Sequence, residues 1–173
     1  MQNNVRIEPL HAARQFVEKY FPNCQAAVLA GSVVRGEATS TSDLDIVVFD
    51  RELKDTYRES FVDFGWPIEV FLHNVTSYKK YFTMDYERAR PSIQKMLAEG
   101  IVIKDDGIVD GLKKDAQEVL DNGPQRWSDQ TIDSKRYFIT DVLDDFIGCS
   151  TIQEELFIVN LLAELVSEFI LRT

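Results

Sequence analysis

Gly31 and Ser32 close one apolar run, Ala26-Ala-Val-Leu-Ala30, and Asp43 and Asp45 open another, Ile46-Val-Val-Phe49. Side chains alternate in extended backbone, so Asp43 and Asp45 share one face while Leu44 turns to the other. Neighbouring carboxylates repel, and a cation between them is the simplest way to offset that repulsion. A glycine-serine turn offers free backbone N–H groups and a hydroxyl, which suit phosphate oxygens. The stretch from Gly31 to Phe49 thus predicts metal-assisted chemistry on a nucleotide.

The elements around this stretch can be read from periodicity. Leu10, Ala13, Phe16, Val17 and Tyr20 repeat at helical spacing, and Pro22-Asn23 ends that helix. Arg58 to Phe64 and Ile68 to Leu72 read as strands around a turn at Gly65-Trp66-Pro67. Thr76 to Leu97 reads as two helices parted near Arg90-Pro91, since proline suits a helix start and disfavours helix just before it. Gly100 stops the second, Ile101-Val-Ile103 is a short fifth strand, and Val109 to Leu120 is helical. Ser128 to Ile147 and Thr151 to Leu171 form two long helices, antiparallel or sharply bent at Gly148-Cys-Ser150. The predicted class is α+β: a small mixed sheet flanked by helices over residues 1–125, then a C-terminal helical pair over residues 126–173.

Ile152, Leu156, Val159, Leu162, Val166 and Phe169 make a stripe that Phe157, Leu161, Leu165 and Ile170 widen, so the last helix is expected to be buried on more than one side. The partner helix, the first domain or a second subunit in a homodimer would cover it. A chain cut short of a longer natural one would also leave such a stripe.

Gly31-Ser32, Arg35-Gly36 and then Ser42-Asp-Leu-Asp-Ile46 at the head of an apolar strand resemble the nucleotidyltransferase superfamily typified by DNA polymerase beta. The likeness runs over residues 25–73 and is strongest to the bacterial aminoglycoside nucleotidyltransferases. It implies a third carboxylate on a later strand, and Glu69 is the acidic residue inside Pro67-Ile-Glu-Val-Phe71. It implies two Mg²⁺ ions held by Asp43, Asp45 and Glu69, with ATP or another nucleoside triphosphate as substrate. Gly31, Ser32 and Ser42 would then take the nucleotide, and Arg35 is placed for a charge-assisted phosphate contact or for solvent. Glu69 would serve as general base, metal ligand or both. The implied reaction moves AMP to a hydroxyl of a small molecule, such as an aminoglycoside-like antibiotic. A protein acceptor, as in toxin–antitoxin pairs, and a nucleotide-binding module without turnover are the alternatives.

Nineteen basic against 29 acidic residues give a net charge of −10, which argues against an extended nucleic-acid partner and suits a small cationic one. Asp141, Asp144 and Asp145 share a helix face, either an acidic wall for an amine-bearing acceptor or a solvated surface. His73 and the turn Lys104-Asp-Asp-Gly107 are read first as solvated, with approach to the site as the second reading. Trp66 and Trp127 read as core or domain-contact residues. Cys24 and Cys149 stand far apart and read as reduced thiols of a cytoplasmic protein. Met1-Gln-Asn-Asn-Val-Arg-Ile7 lacks a secretory signal pattern, and the charges of Leu156 to Ile170 disfavour a membrane span.

Overall fold

The computed structural model describes residues 6–173; the opening Met1–Val5, part of the segment read for a secretory signal, lies outside them. The described chain runs α1 (Pro9–Tyr20), β1 (Ala26–Ala30), β2 (Leu44–Phe49), β3 (Tyr57–Asp63), β4 (Trp66–His73), α2 (Ser77–Glu87), α3 (Ser92–Glu99), β5 (Ile101–Asp105), α4 (Val109–Asn122), α5 (Asp129–Gly148) and α6 (Ile152–Arg172). This is an α+β fold.

The strands form one sheet in the order β3-β4-β2-β1-β5. The β2–β4 pair is parallel and the other pairs are antiparallel, so the sheet is mixed. β1 and β2 are apolar on both faces because both faces are covered. Leu29, Ile46, Val48, Val70 and Leu72 meet Ala12, Ala13, Phe16 and Val17 of α1 on one side. Val28, Val47 and Phe49 meet Tyr78 and Phe82 of α2, Ile93 and Leu97 of α3, and Leu112 and Ala116 of α4 on the other.

Local devices fix the element ends. The Glu8 carboxylate caps α1 by accepting from the backbone N–H groups of Leu10 (3.0 Å) and His11 (2.8 Å), with Pro9 in the first turn. The β3–β4 turn falls at Phe64-Gly65, not at Gly65-Trp-Pro67. Both turn residues have positive φ (51° and 80°), which matches the strand twist, and Trp66 and Pro67 belong to β4. Asp105 Oδ1 accepts from the N–H groups of Gly107, Ile108 and Val109 and so starts α4, while Lys104 Nζ donates to the Pro22 carbonyl. The 104–107 turn is structural.

His73 is not solvated as expected: it is 2% exposed at the end of β4, packed on Phe49 and Tyr81. Its Nδ1 has no hydrogen-bond partner among the described residues. Burial pushes its pKa from 6.5 down to about 4, against the pull of the Asp85 carboxylate. The unfolded chain therefore binds this proton first as pH falls from 6.5 to 4, and stability drops over that window. Relative to His73→Phe, the wild type should lose roughly 3 kcal/mol between pH 7 and pH 4 in paired urea denaturations. A pH-independent difference would show that His73 is no buried titrating group.

The chain divides into two compact units: residues up to Asp85 with Arg90–Asn122, and Tyr86–Ala89 with Gly123–Thr173. In the second unit, the Lys135–Glu168 ion pair (3.4 Å) and the Trp127–Phe169 ring contact fit antiparallel α5 and α6. The buried Arg172 ties the end of α6 to the carbonyls of Gln125 and Glu87. The wide apolar stripe of α6 is exposed rather than buried, with Ile152 at 70% and Phe157 at 79% exposure. Hydrophobic width on a helix reports what could be covered, and α5 covers only part of it. Among the described residues, no helix is long and apolar enough to cross a membrane.

Candidate active site

β2 carries the site because it lies between β1 and β4 and all three bring residues to one row. Asp45 is opposite Ala30 of β1 and Glu69 of β4, and Glu69 is in turn opposite Ser60 of β3. Directly opposed residues of adjacent strands point to the same face. That face is the one with Val47 and Phe49, toward α2, α3 and α4. Asp43 reaches it too, one alternation before Asp45. One carboxylate oxygen from each of Asp43, Asp45 and Glu69 lies within 4.8 Å of the other two.

Three carboxylates so close are short of positive charge. The Asp45 carboxyl is raised from 3.8 to about 6, first by burial and then by the negative charges of Asp43 and Glu69, with Arg58 and Arg35 pulling the other way. This donor set, hard oxygens only and partly buried, fits Mg²⁺ or another hard divalent cation. Arg58 of β3 makes an ion pair with Glu69, and its guanidinium lies 5.1 Å from the centre of the Phe71 ring. The sequence reading missed Arg58. The hairpin register could have located it, because Arg58 sits opposite Phe71, two positions from Glu69 on the same face.

Gly31 ends β1 with φ +82°, a left-handed conformation that favours glycine. A Cβ there would also run into the Asp45 carboxylate, so glycine is required twice over. The turn continues through Val34 N–H to the Gly31 carbonyl (3.2 Å) and Glu37 N–H to the Ser32 carbonyl (3.0 Å). Ser42 closes this loop: its Oγ accepts from Ser32 Oγ (3.1 Å) and from the Thr39 N–H (2.9 Å). Arg35 Nε donates to Glu37 (2.8 Å), and its Nη1 lies 3.7 Å from Glu99.

Beside these groups is a cavity of about 380 Å³, which takes in Gly31, Ser32, Arg35, Asp43 and Asp45. Its other wall is α3, through Ser92, Lys95, Met96 and Glu99, which the sequence reading did not assign to the site. Gly100 sets that helix close to β1: a Cβ on it would lie 2.9 Å from the Leu29 carbonyl oxygen. The Lys95/Glu99 spacing ahead of this glycine was the one available signal. Asp141, Asp144 and Asp145 are exposed on α5 of the second unit.

A family model described as the nucleotidyltransferase domain matches residues 10–100, from α1 to the end of α3. Among solved structures, a nucleotidyltransferase-like protein from Exiguobacterium sibiricum 255-15 is similar at 14% identity, covering 79% of this chain and 48% of its own, with a TM-score of 0.47. The chain spans about half the length of that protein. No curated protein matches. With more than half of its residues matched, including both aspartates, Glu69 and the α3 wall, the chain belongs to the nucleotidyltransferase domain family.

Proposed function

We propose that this protein transfers AMP from ATP, with Mg²⁺, to a hydroxyl of a small amine-bearing molecule and releases pyrophosphate. The observation that carries this reading is the convergence of Asp43, Asp45 and Glu69 beside the Gly31 turn. Asp43, Asp45 and Glu69 would hold the divalent ions, which when bound neutralise phosphate charge and favour in-line displacement at the α-phosphorus. Gly31 and Ser32 offer the phosphates a backbone N–H and a hydroxyl, and Arg35 a positive charge. Glu69 takes the acceptor's hydroxyl proton as the new oxygen–phosphorus bond forms and the bond to the pyrophosphate oxygen breaks. Either base or ligand duty suits a carboxylate in register with Asp45. A net charge of −10 supports a cationic, aminoglycoside-like acceptor, and the free thiols Cys24 and Cys149 support a cytoplasmic setting.

The test is pyrophosphate release from ATP and Mg²⁺ with a panel of aminocyclitols. Release with at least one acceptor, and a product heavier by one AMP, is the expected result. ATP binding with no release on any acceptor would sink the small-molecule reading, and recovery of an AMP-modified protein would move the acceptor to a macromolecule.

A further inference from the structure

We infer that Lys95 is a ligand for the β- and γ-phosphates of the nucleotide, and that Glu99 competes with those phosphates for the same cations. The inference rests on the nucleotidyl-transfer reading and concerns the cationic lining of the cavity that also takes in Asp43 and Asp45. Lys95 and Arg35 come from different elements, α3 and the turn after β1, yet both face the one cavity that holds Gly31 and Ser32. Glu99 lies between them, 3.8 Å from Lys95 Nζ and 3.7 Å from Arg35 Nη1.

The cavity carries both signs of charge: Asp43, Asp45 and Glu99 are its anionic lining and Arg35 and Lys95 its cationic lining, beside the Gly31-Ser32 turn. A triphosphate would use both: divalent ions held by the aspartates would neutralise part of its charge, and the cationic side chains would meet its terminal charges directly. The Lys95 backbone is well fixed, because Ile93 and Leu97 are buried in the core and Gly100 packs on β1. Its head is not: the Lys95 side chain is 57% exposed, and its contact to Glu99 is a weak ion pair one helical turn away. A phosphate oxygen offers that ammonium a stronger, charge-assisted partner. Glu99 would then face the phosphates with only the 3.7 Å Arg35 contact left to it, which makes it a cost to binding.

Calorimetric titration of the full chain with ATP, AMP and inorganic tripolyphosphate, each with Mg²⁺, separates the possibilities. Lys95→Met should weaken ATP and tripolyphosphate about tenfold and leave AMP unchanged, as expected for one lost charge-assisted contact. Lys95→Arg should restore most of that affinity. Glu99→Gln should tighten tripolyphosphate by roughly three- to tenfold, by removing a competing negative charge. Circular dichroism melts check that each variant folds. Unchanged tripolyphosphate affinity in Lys95→Met, an equal loss for AMP, or weaker binding in Glu99→Gln would overturn the inference while leaving nucleotidyl transfer standing. A wild type that binds neither ATP nor tripolyphosphate would overturn the transfer reading itself.

Discussion

Asp45→Asn should abolish nucleotidyl transfer and, without metal, make the protein more stable than the wild type. The Asp45 carboxyl releases its proton near pH 6 in the folded chain and near 3.8 when unfolded. Between those values the folded state holds a proton that the unfolded state has lost. Stability therefore falls as pH rises from 3.8 to 6 and stays lower above. At pH 7 the ionised group costs roughly 3 kcal/mol, so an isosteric neutral amide should recover about 1–3 kcal/mol in urea denaturation with a chelator present. A divalent ion would recover part of the same energy in the wild type and little of it in the variant. Transfer should fall by roughly 10³-fold or more, because an amide carries no charge to hold the cation against the phosphates. Retained transfer would remove Asp45 from the metal site. A less stable variant in chelator would mean that burial and carboxylate repulsion do not strain this position.

The same electrostatics sets the acid limb to be expected. Asp45 makes the wild type gain stability on acidification through the pH range in which His73 makes it lose stability, by similar amounts. The metal-free wild type should look nearly flat there from these two groups, and Asp45→Asn should expose the His73 loss.

The donor half of the site was legible because its signal is local. Gly31 and Ser32 sit at one strand end, Asp43 and Asp45 at the next, and period-two alternation alone assigns their faces. Glu69 was legible as an acid in an apolar strand, although its register against Asp45 was not. That pairing is parallel and skips over β3, so it depends on which strands are neighbours rather than on any turn. Arg58 needed the two-residue turn at Phe64-Gly65, and the sequence reading placed that turn one residue late, which moves every facing assignment. Lys95 and Glu99 depend on where α3 lands on the sheet, which Ile93, Leu97 and the bare backbone of Gly100 decide. His73 looked polar and terminal; it is buried against Phe49 of β2 and Tyr81 of α2. Periodicity reports faces, and only packing reports which faces meet.

Glu69→Gln should lower transfer by roughly 10²–10⁴-fold, the range expected when a proton acceptor and an anionic ligand are lost together. What separates those two duties is Arg58. Its guanidinium pairs with Glu69 while remaining largely exposed (61%), whereas the Glu69 side chain is 19% exposed. Arg58 thus supplies from inside the chain the positive charge that a cation would otherwise bring to this carboxylate. If Arg58 competes with metal for Glu69, Arg58→Ala should tighten Mn²⁺ binding by about three- to tenfold, read by electron paramagnetic resonance without nucleotide. In a Glu69→Gln background there is no carboxylate to compete for, and the same Arg58→Ala change should move Mn²⁺ affinity less than about twofold. Equal effects in both backgrounds would show that Arg58 acts on the site only as a distant charge. Weaker Mn²⁺ binding in Arg58→Ala alone would show the reverse of competition: Arg58 would then orient Glu69 for the metal, and its ion pair would be part of the working site.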